Sequence, residues 1–150
     1  MKKARIIYNP SSGREQMKNL LPDFLDLLET AGYEASAHAT KGAGSAREAA
    51  ARAAADGFDL VVAAGGDGTV FEVVNGLAPA EIRPCLGLIP GGTTNDFARA
   101  LRLPADPLVA ARQLVEGRPV RVDVGQAGEN YFINIAAAGA FTELTYDTPL

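Results

Sequence analysis

The chain has 150 residues, 47% hydrophobic and 21% charged, enough to bury the core of one globular domain. A formal net charge of −4, with no basic block, argues against a nucleic-acid partner and against a strong electrostatic membrane anchor. One cysteine, Cys85, excludes an intramolecular disulfide and a cysteine-based zinc site.

In chain order, residues 4–8 read as a buried strand ended by the loop Asn9-Pro10-Ser11-Ser12-Gly13. Between residues 15 and 31, Met17, Leu20, Leu21, Phe24 and Leu28 follow helical spacing, and Gly32 stands where a C-terminal glycine belongs. Pro22 inside this pattern predicts either a kink or a later helix start. Residues 34–39 form a weak strand. Ser45-Ala46-Arg47-Glu48 matches a capping box opening an alanine-rich helix that Gly57 closes. A strand over residues 60–64 runs into Gly65-Gly66-Asp67-Gly68-Thr69, and a helix over 70–77 follows. Residues 86–89 form a short strand before the turn Pro90-Gly91-Gly92-Thr93-Thr94, with Cys85 expected to be buried beside Leu86, Leu88 and Ile89. Helices then cover residues 95–101 and 107–116, the second with Asp106 as N-cap, Pro107 at N1 and Gly117 at its end.

Strands alternating with helices predict an α/β fold: a doubly wound, mostly parallel sheet with helices on both faces over residues 1–118. After Gly117 the pattern changes to short strands at 120–124, 131–136 and 141–146, with a hairpin at 126–130. Residues 119–150 therefore read as the start of a second, β-rich domain that is cut short, and its open edges invite pairing with another copy of the chain.

The turn from Gly65 to Thr69 carries the chemistry. Strand, glycine turn and helix bring backbone N–H groups against a phosphate, and missing Cβ atoms allow close approach. A carboxylate there, Asp67, repels phosphates unless a cation lies between them, which points to a nucleotide with Mg²⁺. The plainer reading is a tight turn in which Asp67 caps the next helix. Two further polar loops, Asn9 to Gly13 and Gly91 to Asp96, also follow strands, and a parallel sheet opens all such loops on one edge. Together they offer hydroxyls (Ser11, Ser12, Thr69, Thr93, Thr94), amides (Asn9, Asn95) and carboxylates (Asp67, Asp96). A G-x-x-x-x-G-K-[ST] loop is absent, as is a G-x-G-x-x-G turn after the first strand.

Asn9-Pro10-Ser11-Ser12-Gly13, Gly65-Gly66-Asp67-Gly68-Thr69 and Pro90-Gly91-Gly92-Thr93-Thr94-Asn95-Asp96-Phe97-Ala98-Arg99 resemble the three signatures of the diacylglycerol kinase catalytic domain family. The soluble bacterial members are the nearest likeness; sphingosine kinases belong to the same family, and NAD kinases and phosphofructokinases share a related glycine–aspartate turn. Val122-Asp123-Val124-Gly125 and Tyr131 to Ala136 resemble the start of the family's second domain.

The resemblance implies transfer of the ATP γ-phosphoryl group to the hydroxyl of diacylglycerol, giving phosphatidic acid. By position, Asn9, Pro10, Ser11, Ser12, Gly13 and Thr40 border the nucleotide; Gly66, Asp67, Gly68, Thr69 and Glu72 wrap its phosphates; Thr93 adds a hydroxyl. Asp67 is the expected magnesium ligand, directly or through water, with Asp96 and Asp123 in support. Phe71 stands where bacterial relatives carry asparagine. The family's general base and further metal-linked acids are expected beyond residue 150, so this chain is expected to catalyse weakly or not at all. Alternatives are a different acceptor (a sphingoid base or NAD) on the same scaffold, and a nucleotide-binding module without catalysis. No apolar run approaches the ~20 residues that span a bilayer, and no signal peptide is recognisable. A cytoplasmic protein with transient contact to a lipid substrate at the membrane surface is the expectation.

Overall fold

The computed structural model describes residues 1–133. Strands β1 (Lys2–Tyr8), β2 (Tyr33–Ala39), β3 (Leu60–Gly65) and β4 (Cys85–Pro90) form one parallel sheet in the order β2-β1-β3-β4. Helices α1 (Gln16–Thr30), α2 (Ser45–Ala55), α3 (Asp67–Leu77), α4 (Asp96–Ala100) and α5 (Pro107–Glu116) connect or follow the strands. A small antiparallel pair, β5 (Gly125–Ala127) and β6 (Asn130–Phe132), closes the described part. The chain leaves β1 in one direction for β2, then crosses back to β3. The strand order thus reverses between β1 and β3, which is where open α/β sheets bind ligands.

Period-two alternation decides which residues face which layer. Ala4, Ile6, Val62, Ala64 and Ile89 pack under Met17, Phe24 and Leu28 of α1 and Ala111 of α5. Ile7, Val61, Ala63 and Leu88 face the other way, against Ala46, Ala49, Ala50 and Ala53 of α2 and Val73 and Leu77 of α3. The alanines let α2 approach α3 closely. A Cβ on Gly76 would overlap the Arg47 carbonyl oxygen and stand 2.7 Å from the Ala50 Cβ.

Several local expectations are corrected. The helix α1 begins at Gln16 and runs through Pro22, so the later start is excluded and the fold absorbs one missing N–H···O bond. Ser45 is not an N-cap: Gly44 holds that position at φ 83, and no side chain of its own caps the helix. Ser45 Oγ instead accepts the Lys41 N–H at 3.1 Å. Cys85 is exposed, because it opens β4 at the edge of the sheet.

Residues 120–124 do not form a strand: nothing described pairs with them, and Val120, Val122 and Val124 remain exposed. The hairpin does form, with Gly128 at φ 60 opening the two-residue turn between β5 and β6. The expected strand at 141–146, and part of that at 131–136, lie outside the described residues.

Asn75 ties the small sheet to the large one. It is a buried polar side chain in α3, and its amide accepts the Tyr131 N–H at 2.8 Å and donates to the Tyr131 carbonyl at 2.9 Å. A second donation, to the Phe71 carbonyl, completes its bonding. An asparagine on an otherwise apolar helix face was the available sequence signal.

Candidate functional site

The three polar loops meet at the carboxyl edge of the sheet. Ladder-like backbone bonds carry the strand register past the strand ends: Asn9 N–H to Ala64 O at 3.1 Å, Thr40 N–H to Tyr8 O at 2.9 Å, and Gly91 N–H to Gly65 O at 2.8 Å. The loops then touch through glycines. A Cβ on Gly92 would collide with the Gly66 Cα, and one on Gly13 would come within 3.3 Å of the Gly91 carbonyl oxygen. One on Gly91 would press the Met17 sulfur at 2.9 Å. Loops remote in sequence are therefore in van der Waals contact, and their missing side chains make that contact possible.

Each loop is fixed from within. Asn9 Oδ1 accepts the Ser11 N–H at 3.0 Å, and the Ser12 N–H donates to the Asn9 carbonyl at 3.1 Å. Beyond Ser12, Gly13, Arg14 and Glu15 all take positive φ (58, 54 and 67), a left-handed turn that non-glycine residues rarely sustain. In the third loop Asn95 clasps Gly92 on both sides, accepting its N–H at 2.9 Å and donating to its carbonyl at 2.8 Å. That clamp was missed at the sequence level, where Asn95 counted only as a polar loop residue.

The second loop opens into α3. Gly66 is the N-cap, with no side-chain hydrogen bond to the helix, so the first-turn N–H groups have no intrahelical carbonyl. Asp67 leads the helix, and its Oδ1 accepts the Asp96 N–H at 2.8 Å. Asp67 thus caps a helix, but α4 rather than its own, and the contact draws the second and third loops together. Asp67 and Asp96 are both exposed, which leaves carboxylate oxygen facing solvent.

Among the described residues no group of three potential metal ligands occurs. Mg²⁺ does not require one: one or two carboxylates, with substrate phosphates and waters, are its usual protein complement. Asp67 fits that requirement.

Gly68 is the most telling position. It lies in the first turn of α3 with no positive φ, and beyond its own helical turn a Cβ there would meet no atom of the described residues within 4 Å. Glycine costs a helix interior about 1 kcal/mol relative to alanine, yet neither backbone geometry nor packing demands it here. Bare backbone at a helix N-terminus that faces open space suits a bound phosphate.

Residues 3–127 match the sequence profile of the diacylglycerol kinase catalytic domain. The chain belongs to this family. A diacylglycerol kinase of Bacillus subtilis (strain 168) is 59% identical over 150 residues, 99% of this chain and 50% of that protein. One from Staphylococcus saprophyticus is 53% identical over 148 residues, 99% of this chain and 48% of that protein. The crystal structure of a Bacillus anthracis diacylglycerol kinase superposes with a TM-score of 0.82 at 39% identity, covering 89% of this chain and 46% of that one. The chain spans about half the length of the relatives it matches.

Against that family frame, most of the expected site residues come together and two do not. Asn9, Pro10, Ser11, Ser12 and Gly13, together with Thr40, Gly66, Asp67, Gly68, Thr69, Thr93 and Asp96, occupy the loops and strand ends of one sheet edge. Thr69 turns its Oγ1 toward Gly65, whose Cβ would stand 2.6 Å from it. Glu72 departs from the expectation: its carboxylate accepts N–H groups of Gly44 and Ala46 at 2.9 and 3.1 Å. Asp123 lies exposed in the unpaired segment before β5, and no hydrogen bond among the described residues joins it to the loops. Phe71 is half exposed at the surface of α3.

A cavity of about 350 Å³ flanks the outer edge of β4, lined by Leu86, Leu88, Leu101, Leu103 and Leu114 among others. It contains none of the expected site residues, and its wall is mostly apolar, with Gln113 and Arg118 among its polar side chains. At the loop edge a small cavity of about 10 Å³ is lined by Gly65, Gly66, Asp67, Val70, Asn95 and Ala98 among others. No helix among the described residues is long and apolar enough to cross a membrane.

Proposed function

We propose that this chain is the ATP-binding part of a lipid kinase that transfers the γ-phosphoryl group of ATP to the hydroxyl of diacylglycerol, yielding phosphatidic acid. The observation that carries the reading is Gly68: an open, Cβ-free first turn of α3, set where three glycine loops converge. Phosphoryl transfer depends mainly on positioning and charge neutralisation, which backbone donors and a carboxylate-held cation provide.

The roles follow from placement. Amides of Gly66, Asp67, Gly68 and Thr69 receive phosphate oxygens at the α3 N-terminus. Asn9 to Gly13 and Thr40 border the nucleotide from the β1 and β2 ends, and Thr93 adds a hydroxyl from the third loop. Asp67 would hold Mg²⁺, directly or through water, neutralising phosphate charge, and Asp96 would add negative charge beside it. Bound ATP supplies the transferable group, and the lipid acceptor meets it at the membrane surface.

On this reading residues 1–118 are the nucleotide-binding unit. Because the relatives are about twice as long, the chain alone is expected to bind Mg-ATP and to phosphorylate diacylglycerol poorly.

Calorimetric titration with Mg-ATP tests the reading. Saturable binding that weakens at least tenfold in Asp67→Ala is the expected result, tenfold being about 1.4 kcal/mol. Absence of binding by folded protein would overturn it.

A further inference from the structure

Glu72 lies one and a half turns into α3, and both its carboxylate oxygens are engaged away from the phosphate turn. Oε1 accepts the Gly44 N–H at 2.9 Å and Oε2 the Ala46 N–H at 3.1 Å. These groups are the N-cap and second residue of α2, so the carboxylate fills the N-terminus of a neighbouring helix that has no side-chain cap of its own. Charge-assisted bonds to backbone N–H, aligned with the helix dipole, are among the stronger contacts a carboxylate makes. The same face of α3 carries Gly76 four residues on, where α2 presses closest.

The segment so held needs holding. Between Thr40 and Ser45 the chain includes Gly42 at φ 138 and Gly44 at φ 83, with open space around both. Two glycines give this short connection wide conformational freedom when it is not fixed. Its other bonds among the described residues are the Thr40 N–H to the Tyr8 carbonyl at 2.9 Å, the Ser45 N–H to the Gly42 carbonyl at 3.2 Å, the Lys41 N–H to Ser45 Oγ at 3.1 Å, the Glu48 N–H to the Gly44 carbonyl at 3.0 Å and a His38 Nε2–Ser45 Oγ contact at 3.3 Å. Among the described residues, Glu72 alone joins it by side-chain bonds to the helix that begins at the phosphate turn.

Resting on the function proposed above, we infer that Glu72 is a positioning residue. From α3 it latches the Lys41–Gly44 connection, so that Thr40 is presented to the nucleotide in register with the Gly66–Thr69 turn. The latch has a second effect. By filling the N-terminus of α2 with a carboxylate, it removes a competing anion site, so that of the two packed helices α3 keeps its N-terminus for phosphate.

The test uses this chain with Mg-ATP as probe and compares wild type, Glu72→Ala, Glu72→Gln and, as control, Glu48→Ala on the exposed face of α2. Amide hydrogen exchange without nucleotide reads the latch. Glu72→Ala is expected to speed exchange at Gly44 and Ala46 about tenfold, with β3 amides unchanged. Calorimetry reads the consequence: a Kd for Mg-ATP raised about five- to tenfold in Glu72→Ala. Glu72→Gln, which keeps one acceptor oxygen, is expected to fall between, and it carries the test if Glu72→Ala does not fold. Glu48→Ala should match wild type in both. Unchanged exchange at Gly44 and Ala46 overturns the latch. Faster exchange with an unchanged Kd overturns its role at the nucleotide. No binding by wild type overturns the function proposed above, and with it the latch's nucleotide role, while exchange still decides whether the latch exists.

Discussion

Gly76 and Gly68 lie about two turns apart on α3, and the helix tolerates them for opposite reasons. At Gly76 a Cβ would overlap the Arg47 carbonyl and crowd Ala50, so the missing side chain is the price of close helix packing. At Gly68 a Cβ would meet nothing among the described residues outside its own helical turn. The first glycine is explained by the protein around it, and the second is not. One end of the helix is therefore built as core and the other as a surface that awaits a partner. The same sequence signal, a glycine in a helix, means packing or function according to what surrounds it.

The largest expected effect falls on the packed end. Gly76→Ala should destabilise the chain by about 2–3 kcal/mol in urea unfolding, since a Cβ forced against backbone cannot relax cheaply. Mg-ATP affinity of the fraction that remains folded should hardly change. A stability loss below the error of the measurement would break the contrast from the packing side.

Next in size is Asn75→Ala. It strands the Tyr131 backbone groups and should cost about 2 kcal/mol, with earlier proteolysis of the β5–β6 hairpin as the local sign. Gly68→Ala sharpens the open end: stability should hold or rise by up to about 1 kcal/mol, while Mg-ATP affinity falls about tenfold, or about 1.4 kcal/mol. Loss of stability without loss of binding would make Gly68 a structural glycine after all.

The smallest expected effect concerns His38, half-buried on β2, with Nε2 3.3 Å from Ser45 Oγ. Burial first, then the positive charges of Arg52, Arg5 and Lys41, hold its pKa below the ordinary 6.5. The unfolded chain then binds more protons than the folded one just below pH 6.5, so stability rises with pH in that window and levels off above it. His38→Asn should flatten that slope in unfolding measured from pH 5 to 7. An unchanged slope would assign the dependence to other groups.

Much of this molecule was legible in its sequence, for identifiable reasons. β3 is an uninterrupted apolar run and is buried throughout. Gly32 and Gly57 end their helices at φ 91 and 72, as glycines after a helix should. Asp106 caps α5 through Leu108 and Val109. The convergence of the three loops followed from parallel topology alone.

What sequence could not show was long-range. The apparent capping box at Ser45 was displaced because Glu72, 26 residues away from Ala46, supplies the cap. Asp67 reads from sequence as a metal ligand or as a cap for its own helix, and the bond from the Asp96 N–H to its Oδ1 across the loops has no local signal. Cys85 had apolar neighbours but an edge position. Period and propensity are local, whereas these contacts are decided by which loops the topology sets side by side.

The measurement that tests the central claim most directly is a titration of the ¹⁵N-labelled chain with Mg-ATP, followed by amide shifts in NMR. The account predicts the largest saturable shifts at Gly66, Asp67, Gly68 and Thr69, with smaller ones at Ser11 to Gly13, Thr40 and Thr93. Shifts confined instead to Leu86, Leu101 and Leu114 along the β4 groove would contradict it and place the ligand in the apolar cavity.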